Sequence, residues 1–123
     1  MIWKFTGDRP VYLQIMEQLQ GAILSGEFTA GQKIPSVRDL AMEAQVNPNT
    51  MQHALQELER LQLLITDGTN GRHVTMDTRI LDNLRDQRLI ELVEECVTKF
   101  QLLGISPSQA ADLLMQASTE RNA

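Results

Sequence analysis

The chain has 123 residues, 42% of them hydrophobic, and a formal net charge of −5 from 11 basic and 16 acidic groups. That length suits one compact domain with a small appendage and leaves little room for a second full core, and the acidic balance taken alone argues against a nucleic-acid partner. The single cysteine, Cys96, excludes an intrachain disulfide; the start MIWKFTGDRPVYLQ has charge and proline where a secretory signal needs an apolar run, and no stretch approaches the roughly 20 apolar residues that span a bilayer, so a soluble, cytoplasmic chain with no membrane partner is expected.

In chain order, GDRPVYLQIMEQLQGAILSGEF reads as a first helix. Asp8 can cap it and Pro10 suits its first turn. Tyr12, Ile15, Leu19 and Ile23, with Met16 and Ala22 beside them, repeat at helical spacing, and Gly26 fits the stop. TAGQKIPS is a turn with a short strand at Gln32 to Ile34. A short second helix takes Ser36 as N-cap, and Asp39, three residues on, can close a capping box. Val37, Leu40, Ala41 and Ala44 form its buried stripe. After the tight connection QVN, a third helix starts with Asn47 as cap and Pro48 at the first helical position. It runs to about Leu61 and buries Met51, Ala54, Leu55, Leu58 and Leu61. Leu64-Ile65-Thr66 and Arg72-His73-Val74-Thr75 are β-prone runs around Gly68-Thr69-Asn70-Gly71, which predicts a hairpin.

From Asp77 the pattern changes. DTRILDNLRDQRLIELVEECVTKFQLLG predicts one long helix ending at Gly104, about 40 Å in length at roughly 1.5 Å per residue. ISPSQAADLLMQAS predicts a last helix, with Ser106 as cap, Pro107 behind it and Gln109 completing S-x-x-Q, and the final TERNA is expected to fray. Ile80, Leu84, Leu92, Val93, Cys96, Phe100 and Leu103 lie mostly on one side of the long helix, and Leu81, Leu89 and Val97 widen that stripe. A stripe of this kind either folds back on the head or pairs with a second copy, and a two-fold homodimer is the expected outcome. Helix, short strand, helix, tight turn, helix and hairpin is the order of a winged helix-turn-helix. The fold class is therefore mainly α with a small β-hairpin: a winged helix-turn-helix head at residues 1–76 and a two-helix dimerisation tail at residues 77–123.

On a helical wheel the third helix sets Asn49, Gln52, His53, Gln56 and Arg60 opposite its apolar side. The second helix of a helix-turn-helix unit lies in the major groove, and its N-terminal residues meet base edges. Asparagine and glutamine can pair bidentately with adenine, histidine can donate to an acceptor, and the free N–H groups at the helix start suit a phosphate. The plain alternative is a solvated helix face. Such a face more often carries lysine and glutamate, which are better helix formers than asparagine or histidine.

No enzyme pattern is present: no phosphate loop, nucleophile elbow or zinc-protease signature. His53 and His73 with Cys96 have no metal-site spacing, so neither metal nor cofactor is expected. Cys96 reads as a small apolar residue of the tail stripe.

The stretch KIPSVRDLAMEAQVNPNTMQHALQELERL resembles the DNA-binding domain of the GntR family of bacterial transcription regulators. That family's pattern runs roughly L-P-S-x-R-x-L-A, then V-N-x-x-T, then A-x-x-x-L. Here it is met by Pro35, Ser36, Arg38, Leu40, Ala41, Val46, Asn47, Thr50, Ala54 and Leu58. Pro10, Tyr12, Gln14, Ile15, Gly26 and Gly31 match as well, so the resemblance covers about residues 9 to 76. The tail is too short for a large effector domain and is similar to that of the YtrA-like subgroup, whose tails serve dimerisation. The resemblance implies a homodimeric, sequence-specific regulator, a repressor acting on a two-fold double-stranded DNA operator, with a transporter operon as the suggested target. It implies that Arg38, beside Ser36, contacts a guanine or a nearby phosphate. Asn49, Thr50 and Gln52 would lie at the groove, and Gly68, Thr69, Asn70, Gly71 and Arg72 would form the wing; Ser36, Asn47 and, from the wheel, His53 and Gln56 complete the expected DNA-binding set.

Three departures qualify this. The residue after helix three is Gln62 where the family has glycine, the wing carries Asp67 and only Arg72 as a cation, and the groove helix has only Arg60. Residues 1–76 hold six basic and eight acidic groups, net −2, and residues 77–123 hold five and eight, net −3. Few phosphate contacts and weak nonspecific binding follow. The alternative from another class is a winged-helix protein-interaction module without DNA binding. No residue pattern marks a small-molecule effector site.

Overall fold

The computed structural model describes residues 1–122. They fall into two compact units, one of Met1–Asn83 and one beginning at Leu84. The first unit holds α1 (Val11–Leu24), α2 (Val37–Ala44), α3 (Pro48–Arg60), β1 (Leu64–Thr66) and β2 (Arg72–Val74). Helices α1 and α2 both pack on α3, and β1 packs on α3 as well. Ile15, Leu19 and Ile23 from α1, Leu40 from α2, and Met51, Leu55 and Leu58 from α3 are buried together with Leu63, Leu64 and Val74. These are the positions that helical spacing and strand alternation select, and their burial is the main source of the unit's stability.

Two capping residues act as the sequence indicates. Ser36 Oγ accepts the Asp39 N–H at 3.1 Å, and Asn47 Oδ1 accepts the Asn49 N–H at 2.8 Å. The start of α1 differs. Pro10 stands at the cap with no side-chain cap bond, and Asp8 instead accepts the Thr6 hydroxyl. The preceding segment is fastened by two glutamines one helical turn apart. Gln14 accepts the Thr6 N–H at 2.8 Å and donates to Thr6 O and Arg9 O at 2.9 and 2.8 Å. Gln18 accepts the Lys4 N–H at 2.9 Å and donates to Lys4 O at 2.8 Å.

Leu61, expected in the core, is 40% exposed. The cause is the helix stop. Gln62 has φ +65°, and the Leu63 N–H reaches back to Leu58 O at 3.0 Å, so the chain reverses and Leu63 and Leu64 enter the core in its place. The turn between α2 and α3 is built the same way: Gln45 has φ +57°, and the Val46 N–H bonds to Ala41 O at 3.0 Å.

The hairpin pairs Leu64 with Val74, Ile65 with His73 and Thr66 with Arg72. One 3₁₀ turn, Gly68–Asn70, closes it. At Gln32 to Ile34, where a short strand is expected, the chain makes an isolated bridge instead: Lys33 pairs with His73 and the Ile34 N–H bonds to Arg72 O at 3.0 Å, and the sheet stays two-stranded. Thr75 leaves the ladder; its N–H goes to Leu63 O and its hydroxyl accepts the Asp77 N–H.

Helix α4 (Thr78–Leu102) begins in the first unit, and the boundary between the units falls within it. It ends at a turn in which Gly104 has φ +75°. Ser106 and Gln109 then form the reciprocal capping box, with bonds of 2.9 and 3.2 Å, and α5 spans Pro107–Asn122. Thr119 to Asn122, expected to fray, are therefore helical; Ala123 lies outside the described residues. No residue of α4 is buried, and in α5 Ala110 is.

Candidate nucleic-acid interface

The first turn of α3 begins at a sharp reversal and a capped proline, which leaves its N-terminal polar side chains outside the core. Asn49, His53 and Gln56 are exposed, and Thr50 and Gln52 are half-buried. The caps Ser36 and Asn47 are also exposed, but each spends a side-chain oxygen on its helix. His53 does not stand free. Its ring stacks on Tyr12 of α1, with centroids 4.0 Å apart and planes 22° from parallel. Arg60 is paired with Glu57 at 2.9 Å.

Beside α3, the first turn of α2 faces the wing across a cleft of about 940 Å³ lined by Lys33, Ser36, Arg38, Thr66, Thr69 and Arg72, among others. Three of the six cations of residues 1–76 therefore line one cleft together with Asp39, and of the three Arg72 is paired with Glu59. A local concentration of this kind sets the potential an incoming polyanion meets, whatever the net charge of the chain. Arg38 is exposed, and its guanidinium makes no ion pair among the described residues. Glu43, one candidate partner on α2, faces the N-terminal ammonium at 3.5 Å instead.

Lys33 is the cation that sequence reading missed. It lies outside the hairpin in sequence, but its bridge to His73 carries it against β2, and a Cβ on Gly71 would come within 3.2 Å of Lys33 Cε. Gly71 has φ +78°, so the turn favours glycine there, while the exposed end of Lys33 can move aside from a Cβ. Alternation along Gln32–Ile34 was the available signal: Ile34 is buried and its neighbour Lys33 is exposed.

Arg72 is not a free wing cation. Its Nε donates to Glu59 Oε1, and its Nη2 donates to Gln52 Oε1 at 3.4 Å, so it spans from β2 to α3. The wing tip itself, Gly68, Thr69 and Asn70, is exposed.

The expected tail seam divides. Ile80 lies in the first unit and Leu84, Leu92, Val93, Cys96, Phe100 and Leu103 in the second. At about 100° per residue, Ile80 and Leu84 project from a different side of α4 than the group centred on Cys96. Leu92, Val93 and Leu103 are 61, 59 and 79% exposed, while Ile80, Leu84, Cys96 and Phe100 are half-buried.

Residues 11–74 match the model of the bacterial regulatory proteins, gntR family. The chain is similar to an uncharacterized HTH-type transcriptional regulator, YhcF, of Bacillus subtilis (34% identity over 86% of this chain and 88% of the relative). It is similar also to the HTH-type transcriptional repressor YtrA of the same organism (37% identity over 57% of this chain and 54% of the relative). Among solved structures, a GntR family transcriptional regulator from Listeria monocytogenes superposes with a TM-score of 0.83 at 31% identity, covering 91% of this chain and 98% of that one. The DNA-binding domain of AraR in complex with operator ORX1 superposes with a TM-score of 0.56 at 26% identity, over 61% of this chain and 96% of that one. These relatives are regulators and not enzymes. The chain belongs to the GntR family of bacterial regulatory proteins.

Proposed function

We propose that this transcription regulator binds double-stranded operator DNA through residues 1–76 and dimerises through residues 77–123. The observation that carries the reading is the cleft where Lys33, Arg38 and Arg72 gather, with Arg72 reaching Gln52 of α3. A helix N-terminus and a cationic cleft together offer both groove and phosphate contacts. The likeness to a DNA-binding domain solved in complex with its operator supports DNA binding by this unit. In this reading Arg38 reads a guanine or holds its phosphate. Asn49, Thr50, Gln52 and Gln56 face the groove, and Thr69 and Lys33 approach the backbone from the wing.

The exposed Leu92, Val93 and Leu103 support a homodimer, because side chains of that size left in water favour association. A dimer would place two heads on a two-fold operator. Repression follows from the resemblance to the YtrA-like subgroup and from the similarity to a named repressor; control of a transporter operon follows from the resemblance alone. A cytoplasmic location fits an operator partner, and no helix among the described residues is long and apolar enough to cross a membrane.

The reading is tested by titrating the chain against its own upstream DNA at several salt concentrations. Saturable, sequence-dependent binding with a shallow salt slope is expected, on the order of two to four phosphates per head. The second reading, a protein-interaction module, draws on the neutralisation of Arg72 by Glu59; equal, negligible affinity for all DNA would favour it.

A further inference from the structure

The apolar seam of α4 from Leu89 onward bears on how two copies meet, and this inference rests on the dimerisation reading above. Leu89, Leu92, Cys96, Phe100 and Leu103 are spaced three, four, four and three positions apart. At about 100° per residue all of them fall within roughly 40° of Cys96 around the helix. Leu89, Leu92 and Leu103 are exposed, and Cys96 and Phe100 are half-buried. The spacing is the same in either direction from Cys96. Two antiparallel copies centred there set Leu89 opposite Leu103, Leu92 opposite Phe100 and Cys96 opposite itself, apolar against apolar at every level.

A parallel pair in register would match the seam as well, so the flanks decide the direction. On one side of the seam, about 60° and 100° from Cys96, stand Val93 and Val97; at the same angles on the other side stand Lys99 and Glu95. Lys99 Nζ bonds to Glu95 Oε1 at 2.7 Å, so that flank is a charged pair. A two-fold axis running along parallel helices brings each flank of one copy against the opposite flank of the other. The valines would then be covered by the ammonium and the carboxylate, which costs hydration of the charges. A two-fold axis perpendicular to antiparallel helices brings like flanks together. Val93 and Val97 then meet the same valines of the second copy, and Lys99 comes beside the partner's Glu95. Flanking residues of this kind set orientation in helix pairs.

We propose that two copies of this chain associate through α4 in antiparallel sense, with the two-fold axis at Cys96. The seam is then self-complementary, as an isologous interface requires. The valine flank closes over itself, and the charged flank stays at the rim, where its ions keep their water.

The test is disulfide mapping in the full-length protein, whose single cysteine gives a clear background. Sedimentation first establishes the dimer at the concentration used. Oxidation of wild type with copper-phenanthroline should then link two copies through Cys96. Leu89→Cys and Leu103→Cys are next placed in separate Cys96→Ala chains, at side chains exposed in the single chain, and the two are incubated together to exchange subunits. The mixture should cross-link, and neither chain should cross-link alone. In an antiparallel pair two copies of residue 89 stand about 21 Å apart at roughly 1.5 Å per residue, beyond the roughly 7 Å that a disulfide spans between Cα atoms. Leu92→Cys mixed with Phe100→Cys should behave in the same way, and serves if the first pair weakens the dimer. Self-linking of the Leu89→Cys chain without a cross-link in the mixture would establish the parallel pair and overturn the proposal, as would a dimer in which Cys96 does not link. A chain that stays monomeric would instead remove the dimerisation reading on which it rests.

Discussion

The first unit and the second use similar apolar content to different ends. In Met1–Asn83 the apolar side chains converge: Ile15, Leu40, Met51, Leu55 and Leu58 are buried among one another with α3 at the centre. In the residues from Leu84 onward, apolar side chains are as frequent, yet the α4 portion buries none of them and α5 buries Ala110. A helix that can bury nothing within its own unit draws its stability from elsewhere. The first unit thus carries a core of its own, whereas the second leaves large apolar side chains such as Leu92, Val93 and Leu103 exposed.

The largest effect expected on that contrast is in the core of the first unit. Leu55→Ala should lower stability by about 2–5 kcal/mol, read by denaturant unfolding, because Leu55 is fully buried between helices. A loss below about 1 kcal/mol would mean that the core is looser than the packing of α1 and α2 on α3 indicates. In the second unit the corresponding test acts on association. Leu92→Asp with Val93→Asp should weaken the dimer about a hundredfold or more in sedimentation equilibrium, while helix content and the melting of the first unit stay close to wild type. A doubly substituted chain that remains dimeric at low micromolar concentration would place the interface elsewhere.

His53→Ala should have an intermediate effect, about 0.5–1.5 kcal/mol, because the variant loses the stack on Tyr12. From the helical wheel alone, with His53 opposite the apolar stripe, no cost to folding would be expected. Tyr12→Phe keeps the stack and should leave stability near wild type. The smallest effect belongs to the exposed ion pair of α4. The Lys99 ammonium bonded to Glu95 holds that carboxyl below its ordinary range, and Glu95 in turn raises Lys99. A lowered carboxyl contributes stability above its unfolded pKa and loses it as the pH falls through the folded value; a raised lysine contributes below its unfolded pKa and loses it as the pH rises through the folded one. Helix content of α4 should therefore fall slightly at either extreme, less so in high salt, and Glu95→Gln should flatten the acid limb.

Much of the first unit was legible because its signals are local and agree with one another. Ser36 and Asn47 mark helix starts by their own chemistry, and the stripe Met51, Ala54, Leu55, Leu58 has one helical solution. What could not be read is what depends on turns and on contacts distant in sequence. Leu61 continues the stripe by spacing, yet the left-handed Gln62 turns it out of the core; a residue other than glycine hides that turn. Gln14 and Gln18 look like solvated positions until the extended Lys4–Thr6 segment lies against them. At the candidate site, the polar start of α3 and Arg38 were visible from motif and spacing. Lys33 in the cleft and Arg72 on Glu59 arise from strand pairing, which brings together residues that are far apart in the sequence.

Arg38 carries the central claim most directly. It is exposed on the first turn of α2, lines the cleft, and makes no ion pair among the described residues, so its side chain is available for DNA. The decisive measurement is anisotropy titration of wild type and Arg38→Ala against the operator, a single-base variant and unrelated DNA at two salt concentrations. As a base reader, Arg38 should contribute about 1–3 kcal/mol to operator binding, with preference relaxed at one base pair per half-site and folding unchanged. As a phosphate contact, its loss should weaken all three DNAs alike and reduce the salt slope by about one. Operator affinity unchanged in Arg38→Ala would contradict the account, because the cleft beside α3 would then not be where this protein meets DNA.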